Sequence, residues 1–206
     1  MVGGNGLTPD ARSILSGGTA EGDNTLYLHD PWTLKRVRKI DIKWSWRSFA
    51  FAPDGKSLLV VERRTDDIHV LDLATGKSNI WRRQEPGMVG ISQMLFSPDG
   101  STVVLHHGRG VSLVETATKR KHWTTALHPT TPATMVFSHE GRLLLVGSAG
   151  AILVVDVATG KRLGSAWDRT LPPKSIHALA VTPDGLRLLS LGGQDDKILV
   201  WKLRAW

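Results

Sequence analysis

One short phrase, returning at nearly constant intervals, limits what this chain of 206 residues can fold into. It reads "GLTPD" at 6–10, "FAPDG" at 51–55, "FSPDG" at 96–100, "FSHEG" at 137–141 and "VTPDG" at 181–185. The position held by Pro9, Pro53, Pro98, His139 and Pro183 recurs at spacings of 44, 45, 41 and 44. A second phrase keeps step with it: "LHDPWTLKR" at 28–36, "LDLATGKS" at 71–78, "VETATKRK" at 114–121 and "VDVATGKR" at 154–162. The last period carries "VWKLRAW" at 200–206 instead. Two motifs locked together over five periods define an internal repeat, and a repeat of this length sets the architecture before any local feature does.

Both phrases are turns. In Pro-Asp-Gly, proline presets φ at the first corner, aspartate bonds the nearby backbone and glycine accepts a positive φ. The "ATGK" phrase closes a second turn after runs such as "DIHVLDL" (67–73) and "AILVVDV" (151–157). These apolar runs are too short for comfortable helices and rich in Val, Leu and Ile, which makes them strands. Each period therefore holds four antiparallel strands, a to d. In the second period they are expected near 46–52, 57–62, 67–73 and 78–83. One such sheet cannot cover both of its apolar faces, so neighbours must stack. The expected fold is an all-β propeller of about five four-stranded antiparallel blades, as one domain over 1–206. The repeats fall at about 1–43, 44–87, 88–131, 132–173 and 174–206.

The chain resembles the WD-repeat propeller family along essentially its whole length. The family's Trp-Asp pair at the end of strand c matches His29-Asp30, Leu71-Asp72, Val114-Glu115, Val155-Asp156 and Trp201-Lys202. An acid holds the second place in the first four, and tryptophan the first place only in the last. His128 stands where the family has the histidine of its Gly-His pair, with Ser148 as its strand-b partner. Asp195 precedes Trp201 by the family's Asp-to-Trp spacing, with Ser190 nearby. The resemblance implies a tetrad-like structural role for these five residues. It also implies a scaffold rather than a catalyst. Trp81, Trp123 and Trp167, on strand d, are expected to pack between blades.

The two ends of the array differ. The last blade stops after strand c, and "MVGGN" is too short and glycine-rich to supply both a closing strand and strand a of the first blade. Three arrangements satisfy this pattern: the C-terminal part of a longer ring, a strained five-bladed ring, or two copies completing one another. The first is favoured here, and unpaired strand edges lead us to expect self-association of the isolated chain.

Composition excludes several classes. There is no cysteine, so no disulfide or thiolate metal site. Hydrophobic content of 41% and charged content of 22% belong to a globular chain rather than a disordered one. The longest apolar stretches, 143–146 and 151–155, are far too short to span a bilayer, and the N-terminus shows no secretory pattern. A cytoplasmic location without membrane contact is the expectation. The net charge of +7 admits an acidic partner, but no block of like charges marks a nucleic-acid site, so nucleic-acid binding is not expected.

Catalytic signatures fail on inspection. "GKS" at 55–57 and 76–78 lacks the glycine that a phosphate loop needs, since Ala50 and Leu71 stand there. "VGSAG" at 146–150 resembles a nucleophile elbow by composition only. His106 and His107 are adjacent on a strand and point to opposite faces. The pairs Asp66-Asp67 and Asp195-Asp196 lie in b–c turns, where aspartate makes local hydrogen bonds. No metal and no cofactor is expected.

Strand alternation puts the d–a and b–c loops on one face. Those loops carry Trp44, Trp46, Arg47, Arg63, Arg64, His106, Arg109 and Arg169, residue types that anchor recognition surfaces. The expected function is a non-enzymatic protein–protein interaction scaffold for an acidic or extended protein partner. The alternative is a propeller enzyme, hydrolase- or lactonase-like, working through inward polar residues of strand a: Arg47, Ser92 and His177.

Overall fold

The computed structural model describes residues 6–17, 24–127, 134–148, 151–166, 176–192 and 198–203, with the side chains of Ser148 and Ala166 left aside. It is all-β. The first sheet holds β1 (Gly6–Leu7), β2 (Ile14–Gly17), β3 (Thr25–His29) and β4 (Arg36–Asp41). The second holds β5 (Trp46–Phe51), β6 (Ser57–Glu62), β7 (Ile68–Asp72) and β8 (Ser78–Arg82). The third holds β9 (Gln93–Phe96), β10 (Thr102–His107), β11 (Gly110–Glu115) and β12 (Lys121–Ala126). The fourth holds β13 (Thr134–Phe137), β14 (Leu143–Ser148), β15 (Ala151–Asp156) and β16 (Arg162–Ala166). The fifth, among the described residues, has three strands: β17 (Ile176–Val181), β18 (Arg187–Gly192) and β19 (Ile198–Lys202). Each sheet runs in sequence order, as an antiparallel meander. The fold is that of a β-propeller, with one sheet per repeat.

The turns are built as their residues require. Asp10, Asp54, Asp99 and Asp184 accept a backbone N–H two residues on, at 2.9–3.1 Å. The residue closing the corner has positive φ: Gly55, Gly100, Gly141 and Gly185 at 65–72°, with Ala11 at 56° in the first copy. In the c–d turns, Asp30, Asp72 and Asp156 each accept both the backbone N–H and the hydroxyl of the threonine three residues later, at 2.6–2.9 Å. Those bonds hold the three carboxyls below their usual range, the hydrogen bonds with the threonine outweighing desolvation. The acid shared by the second phrase is a turn cap.

By contacts the chain divides into two compact units, residues 1–96 and 97–206. In the first, Leu15, Leu26, Leu28 and Ile40 of the first sheet pack against Leu58, Val60, Leu71 and Trp46 of the second. In the second, Leu145, Ile152 and Val154 of the fourth sheet are covered by Ile176, Leu179, Leu188 and Trp201 of the fifth. Among the described residues, Ile198 and Val200 on the opposite face of the fifth sheet are 64% and 58% exposed.

The expectation of uneven ends falls on residues 1–5 and 204–206, which lie outside the described residues. Strand a of the first sheet is the two-residue β1, paired Gly6↔Leu15 and Leu7↔Ile14. The second sheet matches its expected strands to within a residue or two at every boundary.

Candidate functional site

In the first unit, β5 and the turn after β6 hold most of the anticipated anchors, and the structure rearranges their roles. Trp46 is buried in the core rather than displayed on a loop. It fits because the facing residue is Gly17, where a Cβ would stand 2.0 Å from the indole. This corrects its assignment to a partner surface. Trp44 is half-buried, stacked at 4.2 Å on the imidazole of His69. His69 Nε2 in turn lies 3.2 Å from Glu62 Oε2.

Arg47 is the extra residue where the β5–β6 register slips between Trp46 and Ser48. Such a bulge re-aims a side chain, and this one reaches the b–c turn. Arg47 Nη1 donates to Asp66 Oδ1 at 2.9 Å and Nη2 to Arg63 O at 3.1 Å. Asp66, at φ +58°, also accepts Gly90 N–H at 2.9 Å, and Asp67 accepts Gln84 N–H at 2.8 Å. The adjacent aspartates therefore tie together segments far apart in sequence, which corrects the expectation of purely local bonding. Arg47 belongs to that tie and is not a free anchor. Arg63 and Arg64 are exposed at its outer side.

In the second unit, Arg109 is exposed at the tip of the β10–β11 turn. The two adjacent histidines do face apart. His107 is almost fully buried, with Nε2 at 2.9 Å from Ser112 Oγ, which lies 2.8 Å from Thr124 Oγ1. Desolvation, with the neighbouring His106, Lys121 and Arg109 charges adding to it, pushes its pKa down to about 4. His106 is half-buried and also lowered by burial. The serine–histidine pair has the atoms of an activated nucleophile, but Ser112 is completely inaccessible and braces three strands together. Glu62 with His69 and His107 with Ser112 occupy equivalent places in successive sheets, a polar link that sequence spacing did not reveal.

Of the tetrad-like set, Trp201 Nε1 donates to Ser190 Oγ at 2.8 Å, joining β18 to β19. The first sheet uses the same two positions for Ser16 Oγ and His29 Nε2, 2.8 Å apart. His128, Asp195 and Arg169, with the side chain of Ser148, lie outside the described residues, as does Trp167. Trp123 packs as expected, its indole donating to Val157 O at 2.9 Å and lying over Gly160 of the fourth sheet's turn.

Two cavities open in the second unit. One, of about 360 Å³, runs past Ser97, Asp99, His122 and Glu140. Its Asp99 is already held by the hydroxyls of Ser97 and Ser101 at 2.6 and 2.8 Å. The other, of about 300 Å³, has a leucine floor between the fourth and fifth sheets. Among the described residues no group of three or more His, Asp or Glu side chains could hold a metal ion. Among the described residues no helix is long and apolar enough to cross a membrane.

Among the described residues, the most exposed aromatic side chain lies in none of these places. Trp32, in the β3–β4 turn, is 90% exposed, and Leu34 beside it 66%. The sequence carried the signal. Sister turns read "DLATGK" and "DVATGK", and this one reads "DPWTLK", with tryptophan for alanine and leucine for glycine.

Known proteins agree with this architecture. The β-propeller domain of Cps50 (Swd1) from Myceliophteria thermophila superposes with a TM-score of 0.72 at 19% identity, over 98% of this chain and 65% of that one. Kuenenia stuttgartiensis hydrazine synthase does so with a TM-score of 0.67 at 18% identity, over 91% of this chain and 54% of that one. In sequence, 133 residues are 25% identical to the uncharacterized peptidase YuxL of Bacillus subtilis, over 64% of this chain and 19% of YuxL. No protein-family model matches. The chain thus spans about two thirds or less of each of these proteins. The structural likenesses place it in the β-propeller fold.

Proposed function

We propose that the chain is a WD-like, non-enzymatic interaction module that presents basic turn residues to an acidic or extended segment of a protein partner. The observation that carries this reading is the contrast among its cations. Arg47 and Arg82 are held by Asp66 and Glu85, whereas Arg63, Arg64 and Arg109 project from rigid b–c turns into solvent. Preformed turns lose little entropy on binding, and planar guanidinium groups suit carboxylates. The likeness to a propeller domain of Swd1 supports the fold on which such a role rests. Replacing Arg63, Arg64 and Arg109 with Glu, with the fold verified by circular dichroism, is expected to abolish co-purification of a partner identified by mass spectrometry. Undiminished co-purification refutes the choice of these turns.

The match to a protein named as a peptidase supports a second reading, in which the chain is the propeller portion of a larger hydrolase. The buried Ser112 is unsuited to attack, so in that reading the propeller would position a substrate for chemistry carried elsewhere. Saturable binding of short peptides by the isolated chain, without their hydrolysis and undiminished when Arg63, Arg64 and Arg109 are replaced with Glu, would favour this reading over the first.

A further inference from the structure

The repeats serve as their own control, and two turns break the pattern by exposing apolar residues. In the β3–β4 turn, Trp32 and Leu34 stand where the second and fourth sheets carry Ala74 with Gly76 and Ala158 with Gly160. Asp30 holds the turn rigid through the N–H groups of Trp32 and Thr33, at 3.0 and 2.7 Å. Leu34 sits at φ +55°, a left-handed conformation that disfavours any residue with a Cβ, and gains no burial from it. Lys119 takes the same place in the third sheet at φ +62°, so the conformation belongs to the turn, and what sets this copy apart is the exposed apolar side chains it carries. Val37, on the bulge of β4, extends the patch at 66% exposure, and Lys35 and Arg36 flank it.

The second departure lies in the turn before β18. Leu186 occupies the place of Arg12, Lys56, Ser101 and Arg142 in the other repeats, and is 61% exposed. It borders the cavity of about 300 Å³, whose other leucines are Leu143, Leu145, Leu163 and Leu203. Glu140, Asp156 and Arg142 line the rim, leaving one net negative charge.

A convex apolar knob with a cationic border and a leucine-floored notch with an acidic rim are complementary. We propose that the Trp32 turn of one copy of this chain docks into the Leu186 notch of a second copy. Trp32 enters the notch, and Lys35 faces Glu140. Charge decides against the other occupants. Lys39 is paired with Asp41 at 2.9 Å, Arg38 donates to Ala74 O, and Arg36 lies 4.2 Å over the Tyr27 ring. Over residues 30–41 the four cations Lys35, Arg36, Arg38 and Lys39 stand against Asp30 and Asp41, and a net charge of +2 is weak attraction for a membrane surface or a nucleic-acid backbone. Knob and notch are different patches, so copies can join reciprocally as a closed pair or head to tail as a series.

Light scattering and sedimentation velocity over a wide concentration range test this. The expected result is concentration-dependent self-association that weakens with salt. Trp32→Ala, checked for an unchanged thermal transition, should weaken it about 30-fold, as loss of a central aromatic anchor does. Lys35→Glu and Glu140→Lys should each weaken it, and together restore it. A monomer at every concentration overturns the proposal. So does self-association indifferent to Trp32→Ala, or a Glu140→Lys and Lys35→Glu pair without mutual rescue. Binding of Trp32 to anionic phosphatidylserine vesicles or to another protein, in place of a second copy, overturns it as well. The variants here share no residue with the Arg63, Arg64 and Arg109 test, so either idea can fail alone.

Discussion

Leu34 sits where glycine serves two of its sister turns, and a left-handed backbone costs an L-residue about 1–2 kcal/mol. Glycine returns part of that through its looser unfolded chain. Leu34→Gly should therefore stabilise the dilute chain by about 0.5–1 kcal/mol, read as a higher urea midpoint at unchanged slope. His107 makes the opposite kind of residue-scale statement. Its folded pKa of about 4 lies below the ordinary 6.5, so between those values the unfolded chain binds more protons. The stability that depends on neutral His107 is complete above the ordinary value and is lost as pH falls toward the folded one. The half-buried His106 acts with the same sign. The turn carboxylates Asp30, Asp72 and Asp156 have lowered pKa values, so their contribution persists above the ordinary 3.8 and fades only below it. Urea titrations at about pH 7.5 and about pH 4.5 should differ by on the order of 2 kcal/mol, and His107→Gln should remove much of the difference. A flat profile would contradict the burial of that imidazole. Neither residue's role was legible from its neighbours: His107 needed the register that places Ser112 beside it, and Leu34 needed comparison with other turns.

At the scale of strands and sheets, the repeat was nearly sufficient. Turn chemistry marked both hairpin connections, and apolar runs marked the central strands, because those contacts are local. It failed where a neighbouring sheet decides. Trp46 reads as part of a loop, yet Gly17 in another sheet opens the space that buries it. Val154 and Val200 sharpen the point, since they occupy the same place in the fourth and fifth sheets. Val154 is buried under the fifth sheet, while Val200 is 58% exposed. Val154→Lys should cost about 3 kcal/mol or more, as an unpaired buried charge does, whereas Val200→Lys should stay within about 0.5 kcal/mol. Thermal denaturation of the two variants side by side checks this. Equal losses would mean that the outer face of the fifth sheet is covered.

For the whole molecule, the net charge of +7 overstates the attraction it offers. Arg47, Arg82 and Lys39 are neutralised by Asp66, Glu85 and Asp41, and no run of five like charges occurs in the sequence. The chain should show no saturable binding to mixed-sequence duplex DNA by fluorescence anisotropy at physiological salt, because phosphate tracking needs several adjacent free cations. Tight, salt-sensitive binding would reverse that reading. The sequence by itself determined the five repeats, the turn at each corner and the all-β propeller fold. These rest on residues adjacent in the chain, where proline, aspartate and glycine act on their own backbone. Only the tertiary structure decided which tryptophan is core and which is displayed, which arginines are spent and which are exposed, and that Val154 is buried where its counterpart Val200 is exposed. Each of those depends on a partner residue tens of positions away, and periodicity within a strand carries no record of what the next sheet puts against it.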